Sequence, residues 1–260
     1  MRRVLSVLEM LFVGVVGAWL VYSVARPGRM SLFLRLPSLL NVPSLLGLIQ
    51  GELTRPSQMQ LQARSLGLTF AAFDRAYVDQ PALLSPFDFF LRRTEEACTN
   101  VMTGDVEGIS VLAFDLIDVG AVQSSNLLEV ADGLGAKTAS PVRYSCVIAP
   151  LGTQWPHVVI EPASTPIGKR QGGEAVGLEW GQFNDRYRVT SADRAVVPML
   201  LDVELMAWLV DTAPPQLTWE VQDNRVLCRA PSVEPRVVAD LVRVVTAFVR
   251  RIDQSRAAGS

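Results

Sequence analysis

Residues 4–24 read VLSVLEMLFVGVVGAWLVYSV, with Glu9 as the one charge in the run. A helix of about 20 apolar residues matches the thickness of bilayer hydrocarbon. Val4, Leu8, Leu11 and Val15 would lie in lipid. Trp19 and Tyr22 would lie near the far interface, where amphipathic rings are favoured. Arg2 and Arg3 precede the run, Arg26 and Arg29 follow it, and Pro27-Gly28 ends the helix. The run predicts a single-pass membrane anchor over residues 1–29, with everything else working from that tether.

Two alternatives compete with an anchor. A cleaved secretory signal would use Ser23-Val24-Ala25 as a loose small-x-small site, but the apolar run is longer than a usual signal core. A buried soluble helix is the other. Positive charge favours the cytoplasmic side, and here Arg2 and Arg3 nearly balance Arg26, Arg29 and Arg35. Cysteine usage tips the balance. Cys98, Cys146 and Cys228 are too few, and odd in number, for a disulfide framework, which points to a reducing compartment. The folded part is therefore expected in the cytoplasm, beneath the cell membrane. Glu9 lies close enough to the helix end to reach the headgroups or pair with a partner helix.

Residues 30–50 are apolar again but carry Arg35, Pro37, Asn41 and Pro43. Each proline removes a backbone donor, so short broken helices in the interface are expected, with a kinked second pass as the alternative. Residues 51–62 are polar, contain Pro56, and read as a linker. The folded region is then expected over 63–254, with residues 255–260 as a frayed tail.

Within that region the pattern turns to strands. Residues 66–70 suggest a first strand. Residues 83–91 carry Phe87, Phe89 and Phe90, either as core, as a cap over a sheet, or as an exposed docking patch. Residues 98–102 and 109–117 suggest a hairpin turning at 103–105. In its second arm Ile109, Val111 and Ala113 share one face and Leu112, Phe114 and Leu116 the other, as in a central strand covered on both sides. Residues 119–140 read as a long flexible loop. Residues 142–148 alternate, 155–160 form a further strand, and 162–173 a loop. Residues 183–189 alternate strictly: Phe183, Asp185, Tyr187 and Val189 against Asn184, Arg186 and Arg188. Asp193 and Asp202 are placed to cap short helices over 194–201 and 203–210. Residues 217–229 read as a second hairpin turning at Asp223-Asn224. A last helix presents Val238, Leu241, Val245, Phe248 and Ile252 on one face. The fold class expected is α+β: an N-terminal transmembrane helix, then a mostly antiparallel sheet packed with helices.

The block LEWGQFNDRYRVTSADRAVVPMLL, starting at Leu178, resembles a core block of uncharacterised actinobacterial membrane-anchored proteins. Gly67 to Phe70 and the strand carrying Gly108, Val111, Phe114 and Asp115 are similar to motifs of the same family. The resemblance spans most of the chain after Ser65. It implies a bacterial, membrane-tethered α+β domain and carries no catalytic assignment.

The residues exclude several chemistries. The net charge of −2 gives no basic excess for nucleic acid. The single imidazole, His157, is the only base for a cysteine nucleophile, and a cysteine within an alternating strand is more often a small buried hydrophobe. Cys98, Cys146, Cys228 and His157 lack metal-ligand spacing, and there is no nucleophile elbow. No metal or other cofactor is expected. Lys169 and Arg170 lie in a glycine-rich basic loop that could meet phosphate or lipid headgroups. Asn184, Arg186 and Arg188 could meet an acidic partner, although pairing with acids on neighbouring strands is the plainer use.

Two functions follow. The first is a membrane-tethered scaffold or binding protein without catalysis, its partners the lipid bilayer and a membrane or envelope protein. The alternative is an enzyme acting on a lipid or cell-envelope precursor through Asp115, Asp118 or Asp185, which would require two or more of these in one pocket.

Overall fold

The computed structural model describes residues 42–73, 86–91, 96–118, 142–165, 173–231 and 233–259. The expected anchor, with Val4, Leu8, Leu11, Val15, Trp19 and Tyr22, lies outside them. So do Lys169, Arg170 and all of the loop expected over 119–140. Among the described residues no helix is long and apolar enough to cross a membrane.

The chain divides into two units, 1–54 and 55–260. Helix α1, Val42–Ser65, runs through the stretch expected to be broken and then to link. Pro43 falls in its first turn, where the missing N–H has no intrahelical partner to lose. Pro56 does lie inside the helix. From Arg55 onward the helix is fixed by tertiary contacts: Arg55, Met59 and Ala63 are all buried in the second unit.

Among the described residues, that unit is built on one antiparallel sheet of seven strands. These are β1 (Thr69–Phe73), β2 (Glu96–Val106), β3 (Ile109–Asp118), β4 (Val142–Pro162), β5 (Glu174–Val176), β6 (Tyr187–Ser191) and β7 (Thr218–Pro231). The spine is the long pair β4 and β7, in register from Tyr144 opposite Pro231 to Ile160 opposite Trp219. The other edge of β4 is shared, β3 pairing with its first half and β6 with its second.

Several turns fall elsewhere than the residues suggested. The β2–β3 turn is at Glu107-Gly108, with φ of 54° and 82°, not at 103–105, through which β2 continues. Two successive positive φ values make the primed turn whose twist suits a hairpin. Residues 142–160, expected as two strands, form one, with register shifts between Pro150 and Val158 absorbing the prolines. Residues 217–229, expected as a hairpin, form the single strand β7. Asp223 does adopt a positive φ, 53°, but there it bends the strand opposite Trp155 and reverses nothing. The strict alternation of 183–189 splits into helix α3, Gly181–Arg186, and the start of β6.

Helices α4 (Val197–Leu200) and α5 (Val203–Asp211) follow β6. The Asp202 carboxylate accepts from the Leu205 amide at 2.7 Å, as a capping residue should. Asp193 instead turns onto the Ala195 amide at 2.9 Å, ahead of α4. The last helix, α6, covers Pro235–Gly259, so residues expected to fray are still helical.

The sheet has an apolar cluster on each face. On β3, Val111 and Ala113 join the first cluster, while Phe114 and Leu116 join the second. Helix α6 covers the first: Val238, Leu241, Val245, Phe248 and Ile252 are all buried, and Phe248 stacks on Trp219 at 4.3 Å. A four-residue helix, α2 (Asp88–Leu91), caps the second. Phe87 is fully buried there, with Phe89 and Phe90 beside it, so this aromatic stretch is a cap and not an exposed patch.

Candidate functional site

The carboxylates named for catalysis separate. Asp115 follows the first-face alternation of β3 and has no exposed surface. Its two oxygens receive Arg55 Nε at 2.7 Å and Nη2 at 2.8 Å, in the bidentate geometry that planar guanidinium favours. Register sets Ser145 opposite Asp115, and its hydroxyl donates at 3.0 Å. One extra residue in β2 between Thr99 and Met102 bulges the strand, with Asn100 at a φ of 54°. The bulge aims the Asn100 amide at Asp115, 2.8 Å away. Arg55 also donates to the Val233 carbonyl at 2.8 Å, tying α1 to the segment before α6. This is a closed structural network with no face open to a substrate. Asp185 is exposed on α3. Asp118 ends β3, its backbone opposite Glu96 and Val142. A depression of about 310 Å³ between β3 and β4, lined by Ile148, Pro150 and Arg225 among others, includes none of the three.

The predicted binding residues also disperse. Asn184 folds back on Leu178, its amide donating to the Leu178 carbonyl at 2.5 Å and its oxygen accepting from the Leu178 amide at 3.2 Å. Arg186 ends α3. Arg188, on β6, pairs with the buried Glu161 at 3.1 Å and donates to the Ala163 and Thr165 carbonyls. It thus serves the neighbouring strand. The three do not form one basic face. All three cysteines are buried, and burial pushes the Cys228 thiol well up, with Cys146 adding to the rise and Arg229 opposing it. Such a thiol is a poor nucleophile.

Among the described residues, the chemistry-bearing group that the structure does assemble is Asp88, His157 and Glu220. Trp219 and Val221 belong to the first cluster, as does Val158. Alternation therefore turns Glu220 and His157 to the second face. There Glu220, only 4% exposed, lies 3.0 Å from His157 Nε2. Its Oε1 also accepts from the Asp88 amide at 2.5 Å. Asp88 Oδ2 stands 4.0 Å from His157 Nδ1; it is buried and has no hydrogen-bond partner. Burial alone would depress the imidazole pKa. The hydrogen bond and charge of Glu220, with the charge of Asp88, outweigh it and hold His157 above its ordinary value of 6.5.

The three residues offer ligand atoms within 4.8 Å of one another, a spacing that could hold a metal ion. The ring, however, turns one nitrogen to each carboxylate. A single ion can use only one of them, so the arrangement is a bridge between two acids before it is a chelate. Nothing local in the sequence announces it, because its members lie on α2, β4 and β7. The one available signal is that acids Glu161 and Glu220 interrupt strands whose alternate residues are apolar.

No protein-family model matches the chain, and no curated protein matches it. Among solved structures it is similar to the crystal structure of the mycobacterial trehalose monomycolate transport factor A, TtfA. The two share 12% identity at a TM-score of 0.49, over 78% of this chain and 92% of that one.

Proposed function

We propose that this is a membrane-tethered binding or scaffold protein without catalytic activity, anchored in a single pass by residues 4–24. Its α+β domain lies on the cytoplasmic side, and it engages the bilayer and a membrane or envelope protein. What supports binding over catalysis is the state of Asp115. Of the three carboxylates considered for chemistry on a lipid precursor, Asp115 is wholly buried and occupied by Arg55, Asn100 and Ser145. A general acid or base must reach its substrate, and this one reaches only its own scaffold. The tether rests on the length and apolarity of residues 4–24.

Fractionation tests the tether. The full-length chain should sediment with membranes and be released by detergent but not by salt; full-length chain left in the supernatant would overturn it. Repeated affinity recovery from detergent-solubilised membranes should return the same partner, and recovery of the bait alone would count against a scaffold. Orientation needs an introduced probe, since all three native thiols are buried. The exposed position Gln182, as Gln182→Cys, should react with an impermeant reagent only when the cytoplasmic side is open.

A further inference from the structure

We propose that Asp88, His157 and Glu220 form a protonation-controlled latch that holds the aromatic cap, Phe87 and α2, over the second apolar cluster. The inference does not depend on the tether or on the identity of a partner.

One polar link between the cap and the sheet runs through Asp88. The first residue of α2 gives its amide to Glu220 on β7. Its side chain faces the imidazole of His157 on β4, which also meets Glu220. A protonated ring carries an N–H at both nitrogens. It can then donate to Glu220 through Nε2 and present a donor and a positive charge to the otherwise unpartnered Asp88 Oδ2. A neutral ring keeps one proton. With that proton on Nε2, facing Glu220 at 3.0 Å, Nδ1 becomes a lone pair opposite a carboxylate. Deprotonation therefore acts against Asp88, the member carried by the cap.

Among the described residues, the other charged groups around the latch have partners of their own. From β4, Glu161 faces the same side and is paired with Arg188 of β6. From β7, Arg229 lies over the Phe89 ring at 4.2 Å and holds the far side of the cap. β6 reaches His157 through the Ser191 hydroxyl, which donates to the His157 carbonyl at 2.9 Å. His157 is thus the switchable member, and its raised pKa sets the direction. The latch is closed below the ordinary imidazole range and loosens as pH rises through the raised value. Apolar packing of Phe87, Phe89 and Phe90 still favours the cap when the ring is neutral, so the latch changes the population of a minor open form.

The protein carries its own reporters. Cys98 and Cys146 lie in the capped cluster, and Cys228 lies in the cluster beneath α6. The full-length chain in detergent would be alkylated with N-ethylmaleimide and each thiol followed by mass spectrometry. Dividing each rate by that of the same thiol in the urea-unfolded chain at the same pH removes the pH dependence of thiol ionisation. In the wild type, the relative rates at Cys98 and Cys146 should rise at least about threefold between about pH 6 and about pH 9. His157→Gln should already show the raised rates at about pH 6 and should lose the pH dependence. A wild-type ratio flat with pH, or an undiminished pH dependence in His157→Gln, would overturn the latch. If His157→Gln also exposes Cys228, the variant has unfolded and Asp88→Asn decides. That change removes only the cap's charge, and it should flatten the profile while Cys228 stays protected; an unflattened profile would sink the proposal.

Discussion

At the scale of single residues, the Arg55–Asp115 pair has the clearest energetic consequence. Breaking a buried ion pair by removing one partner costs about 3–5 kcal/mol, because the other charge is left desolvated. Arg55→Ala should therefore lower unfolding stability by about that amount in urea titration, leaving Asp115 with Asn100 and Ser145 alone. Asp115→Asn should destabilise too, by stranding Arg55. An enzyme using Asp115 would instead lose turnover with its stability intact. The residue scale also carries a pH prediction. The folded-state pKa of His157 is raised above 6.5. Its contribution to stability is then complete below that value and fades as pH rises through the raised one. Denaturant midpoints of the wild type should fall over that window, and those of His157→Gln should fall less.

At the scale of elements, two glycines contrast conformational strain alone with strain and overlap together. Gly108 sits at a φ of 82° in the β2–β3 turn, and a Cβ there meets nothing within 4 Å. Gly108→Ala should cost only the left-handed penalty, about 1–2 kcal/mol. At Gly173 a Cβ would lie 2.3 Å from the Ser191 carbonyl carbon. Gly173→Ala must displace backbone, at about 1–3 kcal/mol, and should release the amides of β5 to hydrogen exchange. The same contrast explains which elements could be read in advance. The two-faced apolarity of β3, the stripe of α6 and the Asp202 cap are local periodicities, and they hold in the structure. Turn residues are ambiguous for a physical reason. Asp223 at positive φ is as good a bulge as a hairpin turn, and only the pairing of β7 with β4 decides. Residues 183–189 mislead because Phe183 and Tyr187 also sit one helical turn apart, their rings 5.3 Å from each other. Pro56 looks like a break until Arg55 and Met59 are seen to be fixed by the sheet. The Asp88–His157–Glu220 bridge had no local pattern at all, since three separate elements create it.

At the scale of the molecule, Trp155, Trp208 and Trp219 share one cluster with the buried face of α6. A chain beginning at Val42 should thus unfold in one step, with coincident midpoints by tryptophan fluorescence and far-ultraviolet dichroism. Separated midpoints would mean that the two halves of the β4–β7 spine come apart independently.

That spine has a consequence for biosynthesis. β4 ends at Pro162, yet its long partner begins only at Thr218, with β5, α3, β6, α4 and α5 between them. A ribosome would deliver every strand but one while β4 still lacked that neighbour along its whole length. Non-local pairing of this kind is slow and exposes unpaired edges while it waits. A nascent chain halted before Thr218 should therefore bind holdase chaperones, and one extended past Ser260 by an inert linker should not.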